Sequence, residues 1–326
     1  MRNFLDKAIG IAALATALCG FSAPAAAAYP DQAVRMIIPF PPGGGTDVVA
    51  RVICNDLSKT TGWTVVPDNR GGGGGSRGLG LAARAKNDGY SIVLAQNANM
   101  IYNPLLGTGQ YDPVKDFQPI VLVASAPNVM VVPKDSPIKS FQELLALARA
   151  NPGKLRFASP GVGTSAHLAG ELLQQRAGIK VAHVAYQGTG EALRDVLGGR
   201  VDFYVASAPS TMPHLINGSV RALAVFADKR FDDLKDVPTL DELGIKNSAA
   251  VTWWGVAAPA GTPASVIALL NAKINEVLAH PATRAQLKAA GADPIGGTTA
   301  EFDALIKADL PKWGAIIKAA NLQTRE

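Results

Sequence analysis

Two glycine-rich segments have residue types and spacing suited to binding an anion: FPPGGGTD at 40–47 and SPGVGTSAH at 159–167. Each follows an apolar, strand-like run and precedes a helix-like run. The first turn of a helix has N–H groups without an intrahelical partner, and the helix dipole adds positive charge there, so a carboxylate or phosphate binds without a cation. Two such junctions in one chain favour a ligand site over two ordinary tight turns.

Nucleotide chemistry fits these segments poorly. A Walker phosphate loop ends in Gly-Lys-Ser or Gly-Lys-Thr, and neither segment has that ending. Gly73, Gly75 and Gly78 match the spacing of a dinucleotide-binding loop, but no acidic residue ends a strand about 20 residues later. The five-glycine tract at 71–75 is therefore predicted to be a flexible surface loop, and no cofactor is expected.

Catalytic and metal sites are also disfavoured. Of the four histidines, only His167 lies near a hydroxyl group, that of Ser165, and residues two apart at a helix start face different directions. Neither a Gly-x-Ser-x-Gly elbow nor a His-Glu-x-x-His zinc motif occurs. We predict no catalytic residue and no metal, and an exported hydrolase using Ser165 or His167 stays as an alternative.

The elements that position these segments alternate between strand-like and helix-like runs, which predicts an α/β fold with a largely parallel sheet. Strand-like runs include VRMIIPF (34–40), TVVPD (64–68) and SIVLAQ (91–96). Ser140 and Glu143 form a capping box before a helix, and the last 65 residues are predicted to be mainly helical. Trp253 and Trp254 are expected in a strand and in the core.

The N-terminus predicts export. Residues 1–28 have a basic start, an apolar stretch and the small-residue site Ala26-Ala27-Ala28, as in a secretory signal peptide. Its removal leaves Cys54 as the only cysteine, which excludes an intramolecular disulfide. The net charge falls from +5 to +4 when Arg2, Lys7 and Asp6 are removed, and this mild excess argues against a nucleic-acid partner.

Motifs along the whole mature chain resemble the Bug-type periplasmic solute receptors of tripartite tricarboxylate transporters. The resemblance rests on ordered segments: YPDQAVRMIIPFPPGGGTDVVAR, DGYSIVLAQ, ASPGVGTSAHLAGELL, VAYQGTGEALRDVLGGRVD, VRALAVFADKR, DVPTLDELG and WWGVAAPAGTP. It implies a type II periplasmic-binding-protein fold of two α/β domains, with a ligand cleft between them. Domain 1 would comprise 29–126 and 228–326, and domain 2 would comprise 127–227.

The resemblance also implies a ligand carboxylate held between one glycine loop from each domain. The implied contacts are Phe40, Gly44, Gly45, Thr46 and Asp47 on one side, and Gly163, Thr164, Ser165 and His167 on the other. The distal end of the ligand would meet Gln96, Asn97, Tyr186, Gly188, Ala206 and Ser207. Many relatives have an acidic residue at the position of Ala206, so a distal ammonium group is disfavoured here.

The expected function is therefore that of a periplasmic, monomeric, non-enzymatic receptor. It would bind a small di-, tri- or aromatic carboxylate and deliver it to integral membrane transporter subunits. A ligand sensor for a membrane signalling partner has the same binding chemistry and stays as an alternative.

Overall fold

The structure is a computed structural model that describes residues 29–319. The expected signal peptide at 1–28 lies outside the described residues. Residues 29–31 belong to a separate structural unit from the body of the protein, which begins at Gln32. Within 29–319, every helix is too short or too polar to cross a membrane.

The chain alternates strands and helices, as predicted. The strands are β1 Val34–Ile38, β2 Val65–Asn69, β3 Ser91–Gln96, β4 Phe117–Pro133, β5 Arg156–Ser159, β6 Ala182–Ala185, β7 Phe203–Ser207, β8 Val220–Phe226, β9 Val251–Pro259 and β10 Asp293–Pro294. The helices are α1 Gly45–Thr61, α2 Ser76–Ala83, α3 Asn103–Leu105, α4 Phe141–Ala150, α5 Ser165–Ala177, α6 Thr189–Leu197, α7 Ala208–Ile216, α8 Ala264–Ala279, α9 Pro281–Ala289 and α10 Thr299–Ala319. The helical C-terminal region is confirmed within the described residues.

The sheet runs in the order β2-β1-β3-β9-β4-β7-β5-β6, with β8 and β10 also paired to β4. Pairing is parallel within β2-β1-β3 and within β7-β5-β6, and it is antiparallel along β9 and β4. The predicted α/β class is confirmed, although the parallel pairs are separated by antiparallel strands. Both glycine loops leave the carboxyl ends of parallel strands, where α/β sheets bind ligands.

Strand β4 belongs to both halves of the sheet. Residues 117–127 pair with β9, and residues 128–133 pair with β8, while β7 joins along 128–131. The switch occurs at Asn128, which is fully buried. This switch supports a boundary at 127, but the division into 29–126 with 228–326 and 127–227 stays a prediction.

The interior packs large apolar side chains from the strands and from the helices. Phe157 and Phe203 stack with ring centroids 5.7 Å apart, and Tyr102 meets Trp313 of α10 edge to face at 4.7 Å. Trp254 of β9 is fully buried, so its predicted place in a strand and in the core is confirmed. These strands and helices are held by the core and place their loop ends in fixed positions.

The five-glycine tract is not the flexible surface loop that its composition predicts. Gly73–Gly75 forms a short 3-10 turn, and the Asn103 side chain donates to the carbonyl of Gly74 at 2.9 Å. A Cβ atom on Gly74, whose φ is +59°, would lie 2.4 Å from the carbonyl oxygen of Val162 in the second glycine loop. Glycine is required there because the two backbones touch.

Candidate functional site

Four helices begin around one cavity. The residues before their first turns are Gly44 of α1, Thr164 of α5, Gly188 of α6 and Ser207 of α7. All four residues line the cavity, whose volume is about 40 Å³. That volume admits a few water molecules. Four sets of first-turn N–H groups and four positive dipole ends therefore surround the same space.

None of the described residues that line the cavity has a charged side chain. It consists of Phe40, Pro41, Gly44, Gly45, Thr46, Gln96, Asn128, Pro160, Thr164, Ser165, Ala166, Gly188, Thr189, Ser207, Ser210 and Thr252. An anion in this cavity would be stabilised by dipoles and neutral donors rather than by a lysine or arginine.

The hydroxyl of Thr46 is oriented as a donor by its neighbours. Gln96 donates its amide N–H to Thr46 Oγ1 at 2.6 Å, and the indole N–H of Trp254 donates to the same oxygen at 3.0 Å. A hydroxyl has two acceptor positions and one proton. Both acceptor positions of Thr46 are used, so its proton is the group left to offer to a ligand, which must be an acceptor.

Asp47 holds the first loop and does not line the cavity. Its carboxylate accepts from the backbone N–H of Gly43 at 2.9 Å, from Asn69 at 2.9 Å and from Arg51 at 2.9 Å. Burial opposes ionisation of Asp47, but the hydrogen bonds from Arg51, Gly43 and Asn69 outweigh it and lower the pKa of the carboxyl. The ionised Asp47 thus stabilises the turn that presents α1.

Thr164 caps α5. Its hydroxyl accepts from the backbone N–H of His167 at 3.3 Å and donates to the carbonyl of Gly161 at 2.7 Å. Ser165, the first residue of α5, accepts a hydrogen bond from Asn128 at 2.8 Å. The second loop is therefore tied to its helix and to strand β4.

His167 packs behind the loop instead of reaching the cavity. Its ring stacks on His183 with centroids 4.2 Å apart, and its Nδ1 accepts from the N–H of Gly163 at 3.3 Å. His183 Nε2 lies 2.7 Å from Ser159 Oγ. Burial lowers the pKa of His167 to about 4; burial and the neighbouring His167 lower the pKa of His183 to about 3. Both rings are neutral at pH 7, and His167 has no contact with Ser165 of the kind a nucleophile needs.

Ser210, in the first turn of α7, joins the start of α1 to the starts of α6 and α7. The backbone N–H of Gly45 donates to Ser210 Oγ at 2.9 Å, and Ser207 Oγ and Thr189 Oγ1 lie 3.3 and 3.4 Å from it. A Cβ atom on Gly45 would lie 2.7 Å from Ser207 Oγ. Only glycine at this position allows α1 and α7 to approach so closely.

Comparison with known proteins identifies the family. The model of the tripartite tricarboxylate transporter family receptor matches residues 49–322. The chain belongs to this receptor family. The periplasmic binding protein BugD is 35% identical, with a TM-score of 0.86 over 90% of this chain and 99% of BugD.

Two further receptor structures were solved with acids. Rpa4515 of R. palustris with adipate is 32% identical, with a TM-score of 0.87 over 90% of this chain and 98% of Rpa4515. MatC (Rpa3494) of Rhodopseudomonas palustris with bound malate is 28% identical, with a TM-score of 0.84 over 89% of this chain and all 100% of MatC. The two-domain fold expected of a receptor of this family is confirmed, and BugD is described as a periplasmic binding protein.

The receptor cavity brings together nine of the fifteen residues predicted as ligand contacts. They are Phe40, Gly44, Gly45, Thr46, Gln96, Thr164, Ser165, Gly188 and Ser207. The other six lie around it. Asp47, Gly163 and His167 stabilise the loops, and Asn97 donates to Tyr102 and to the carbonyl of Val251. Tyr186 donates to Asp195, and Ala206 is fully buried in β7.

Seven lining residues were missed by sequence reasoning: Pro41, Asn128, Pro160, Ala166, Thr189, Ser210 and Thr252. Thr189 follows Gly188 at a strand-to-helix junction, and the same rule that selected Thr46 would have selected it. Asn128 and Thr252 lie inside strands, where no local pattern marks a ligand contact.

Proposed function

We propose that this protein is a periplasmic solute receptor that binds a small carboxylate in the cavity and delivers it to a tripartite tricarboxylate-type membrane transporter. The proposal rests on the hydrogen bonds of Thr46. Gln96 and Trp254 fill both acceptor positions of its hydroxyl, so this hydroxyl donates to its ligand. A carboxylate offers the matching acceptor.

The charge pattern of the cavity supports the same ligand class. Four helix N-termini favour negative charge, and the lining residues include no cation that would demand a phosphate-like dianion. Adipate and malate, the acids in the structures of two relatives, are both carboxylates. The protein acts by binding and release, as a monomer, and not as an enzyme.

Titration calorimetry with a carboxylate panel tests the proposal, with Thr46→Val and Thr46→Ser as matched variants. A hydrogen bond to a charged group contributes about 1.5–3 kcal/mol, so Thr46→Val should weaken binding at least tenfold. Thr46→Ser keeps the donor and should stay within threefold of the original affinity. Unchanged carboxylate affinity in both Thr46→Val and Thr164→Ala would contradict binding of the carboxylate by the two glycine loops.

The delivery step needs a separate test, because a ligand sensor would have the same cavity. Cross-linking in the periplasm followed by identification of the membrane partner separates the two roles. We expect transporter subunits, and a membrane kinase in their place would assign the protein to signalling.

A further inference from the structure

A second cavity lies beside α2, and it shares no lining residue with the ligand cavity. Its volume is about 360 Å³, and its wall includes Arg77 and Leu81 of α2, Arg84 at the end of that helix, and Thr108 and Gln110 after α3. All five residues are exposed, and none of the described lining residues is acidic. Spacings of four and three residues place Arg77, Leu81 and Arg84 on one face of the helix. This face presents an apolar side chain between two guanidinium groups.

Arg77 and Arg84 differ from most arginines of this chain. Six arginines form ion pairs with carboxylates: Arg35, Arg51, Arg70, Arg156, Arg200 and Arg230. Three more donate to backbone carbonyls: Arg149, Arg221 and Arg284. Within residues 29–319, Arg77 and Arg84 make neither kind of contact. A guanidinium group has five donors, so both side chains are free to pair with anionic groups of another molecule.

The helix keeps the two guanidinium groups apart. Arg77 and Arg84 are seven residues apart, which is about 10 Å along a helix axis. Both side chains lean toward the N-terminus: a Cβ atom on Gly72 would lie 3.4 Å from Arg77 Cδ, and one on Gly80 would lie 3.4 Å from Arg84 Nη2. Because they lean the same way, one carboxylate or phosphate group is too small to pair with both. A protein segment that carries two carboxylates about 10 Å apart pairs with both.

Helix α2 is connected to the ligand site through the five-glycine tract. The tract at 71–75 ends where α2 begins, and a Cβ atom on Gly74 would collide with the carbonyl of Val162 in the second glycine loop. A partner that binds to α2 and displaces the tract therefore changes the support of that loop. Docking and ligand release are coupled if the partner prefers the displaced form.

These observations favour an acidic protein partner. Arginine pairs bidentately with carboxylates, and an exposed apolar side chain between two arginines is covered when a protein segment lies across it. We propose that Arg77, Leu81 and Arg84 form a docking surface for an acidic segment on the periplasmic side of the membrane transporter. This inference rests on the proposed function, because delivery requires contact with the transporter, and it concerns a surface separate from the ligand cavity.

Charge reversal of the docking surface tests the inference. In Arg77→Glu/Arg84→Glu, the affinity for the tightest-binding acid of the carboxylate panel should stay within threefold, because neither arginine lines the ligand cavity. In cells that lack the chromosomal copy, uptake of that acid through the double variant should fall at least tenfold at equal protein amounts. The neutral pair Arg77→Gln/Arg84→Gln should give a smaller loss of uptake and keeps the test valid if charge reversal impairs folding.

The matched control is Arg176→Glu/Arg194→Glu. These arginines are exposed on α5 and α6 and form no ion pair within the described residues, so the control makes the same change of charge elsewhere. Its uptake should stay within twofold of the original. Full uptake by Arg77→Glu/Arg84→Glu, an equal loss in the control, or a loss of uptake matched by lost acid affinity would overturn the inference and leave the proposed function standing. Uptake that is unchanged without the protein would overturn the proposed function itself.

A cross-linking experiment identifies what covers the docking surface. Leu81→Cys can carry a photoactivated cross-linker, since Cys54 is buried. The cross-linked peptide should belong to a transporter subunit and contain at least two aspartate or glutamate residues. Lysine in place of those acidic residues should restore uptake with Arg77→Glu/Arg84→Glu. A cross-link to a second copy of this chain, to another membrane protein or to a peptide without acidic residues would overturn the assignment.

Discussion

The backbone N–H of Gly45 donates to the hydroxyl of Ser210, 165 residues later, at 2.9 Å. This bond joins the first turn of α1 to the first turn of α7 across the cavity. It satisfies an N–H group that a helix leaves without a partner. A first-turn N–H group, the kind of group proposed to bind the ligand, thus holds the two helix ends together.

Ser210→Ala should weaken ligand binding. The substitution removes a contact that exists only when the helix ends are together, so it lowers the population of the binding-competent form. A neutral hydrogen bond contributes about 0.5–1.5 kcal/mol, which corresponds to a loss of about two- to tenfold in affinity. Calorimetry with the tightest-binding carboxylate measures the loss. An affinity equal to that of the original protein would show that the bond does not favour closure.

Gly74→Ala should weaken ligand binding more than its effect on stability alone explains. The new methyl group would collide with the carbonyl of Val162 and displace the second glycine loop from the tract at 71–75. Gly153→Ala is a matched control, because Gly153 also has a positive φ, +76°, but has no atom within 4 Å of the new methyl group. Backbone strain should lower the free energy of unfolding of both variants by about 1–2 kcal/mol. Equal affinities in the two variants would count against a role of the tract in the cavity.

The stacked histidines should make the protein less stable in acid. Their pKa values of about 4 and about 3 lie below the unfolded value of about 6.5, so the unfolded chain binds protons first. The stability that the neutral pair contributes is complete above pH 6.5 and is lost as the pH falls from there towards 4 and 3. Glu171 Oε1 lies 3.8 Å from His167 Nε2, and burial raises the pKa of the Glu171 carboxyl.

Thermal melts between pH 7.5 and 4 measure this loss. His183→Gln should flatten the pH dependence, because an amide does not take up a proton in this range. His280→Gln, at an exposed position, should leave it unchanged. A slope in His183→Gln as steep as in the original protein would show that other groups cause the acid sensitivity.

Tryptophan fluorescence should respond to carboxylate binding through Trp254. Its indole N–H is bonded to Thr46, so a ligand on the Thr46 hydroxyl changes the electrostatic environment of the ring. Trp254→Phe should remove most of the change, and Trp63→Phe should retain it. A response that persists in Trp254→Phe would place the affected tryptophan elsewhere.

The two loop-to-helix junctions could be predicted from sequence because each is local: a strand, a glycine loop and a helix start within ten residues. The same logic found Thr46 and Thr164. His167 was placed at the ligand by the family resemblance alone, and the direction of its ring depends on stacking with His183 of β6, a contact that no local pattern shows. The contact of Gly74 with Val162 is likewise tertiary, and composition alone suggested mobility. Asn128 and Thr252 meet only through the register of β4 and β9.

Strand β4 changes its pairing partners at Asn128, and this has a kinetic consequence. If the two halves of the sheet rotate about this strand when the cleft opens, atoms near the strand travel least and the helix ends travel furthest. Asn128 and Thr252 would then keep their mutual arrangement in the open form, before the glycine loops engage. The ligand would meet this part of the wall first, and engagement of the glycine loops should appear as a later step in the binding kinetics.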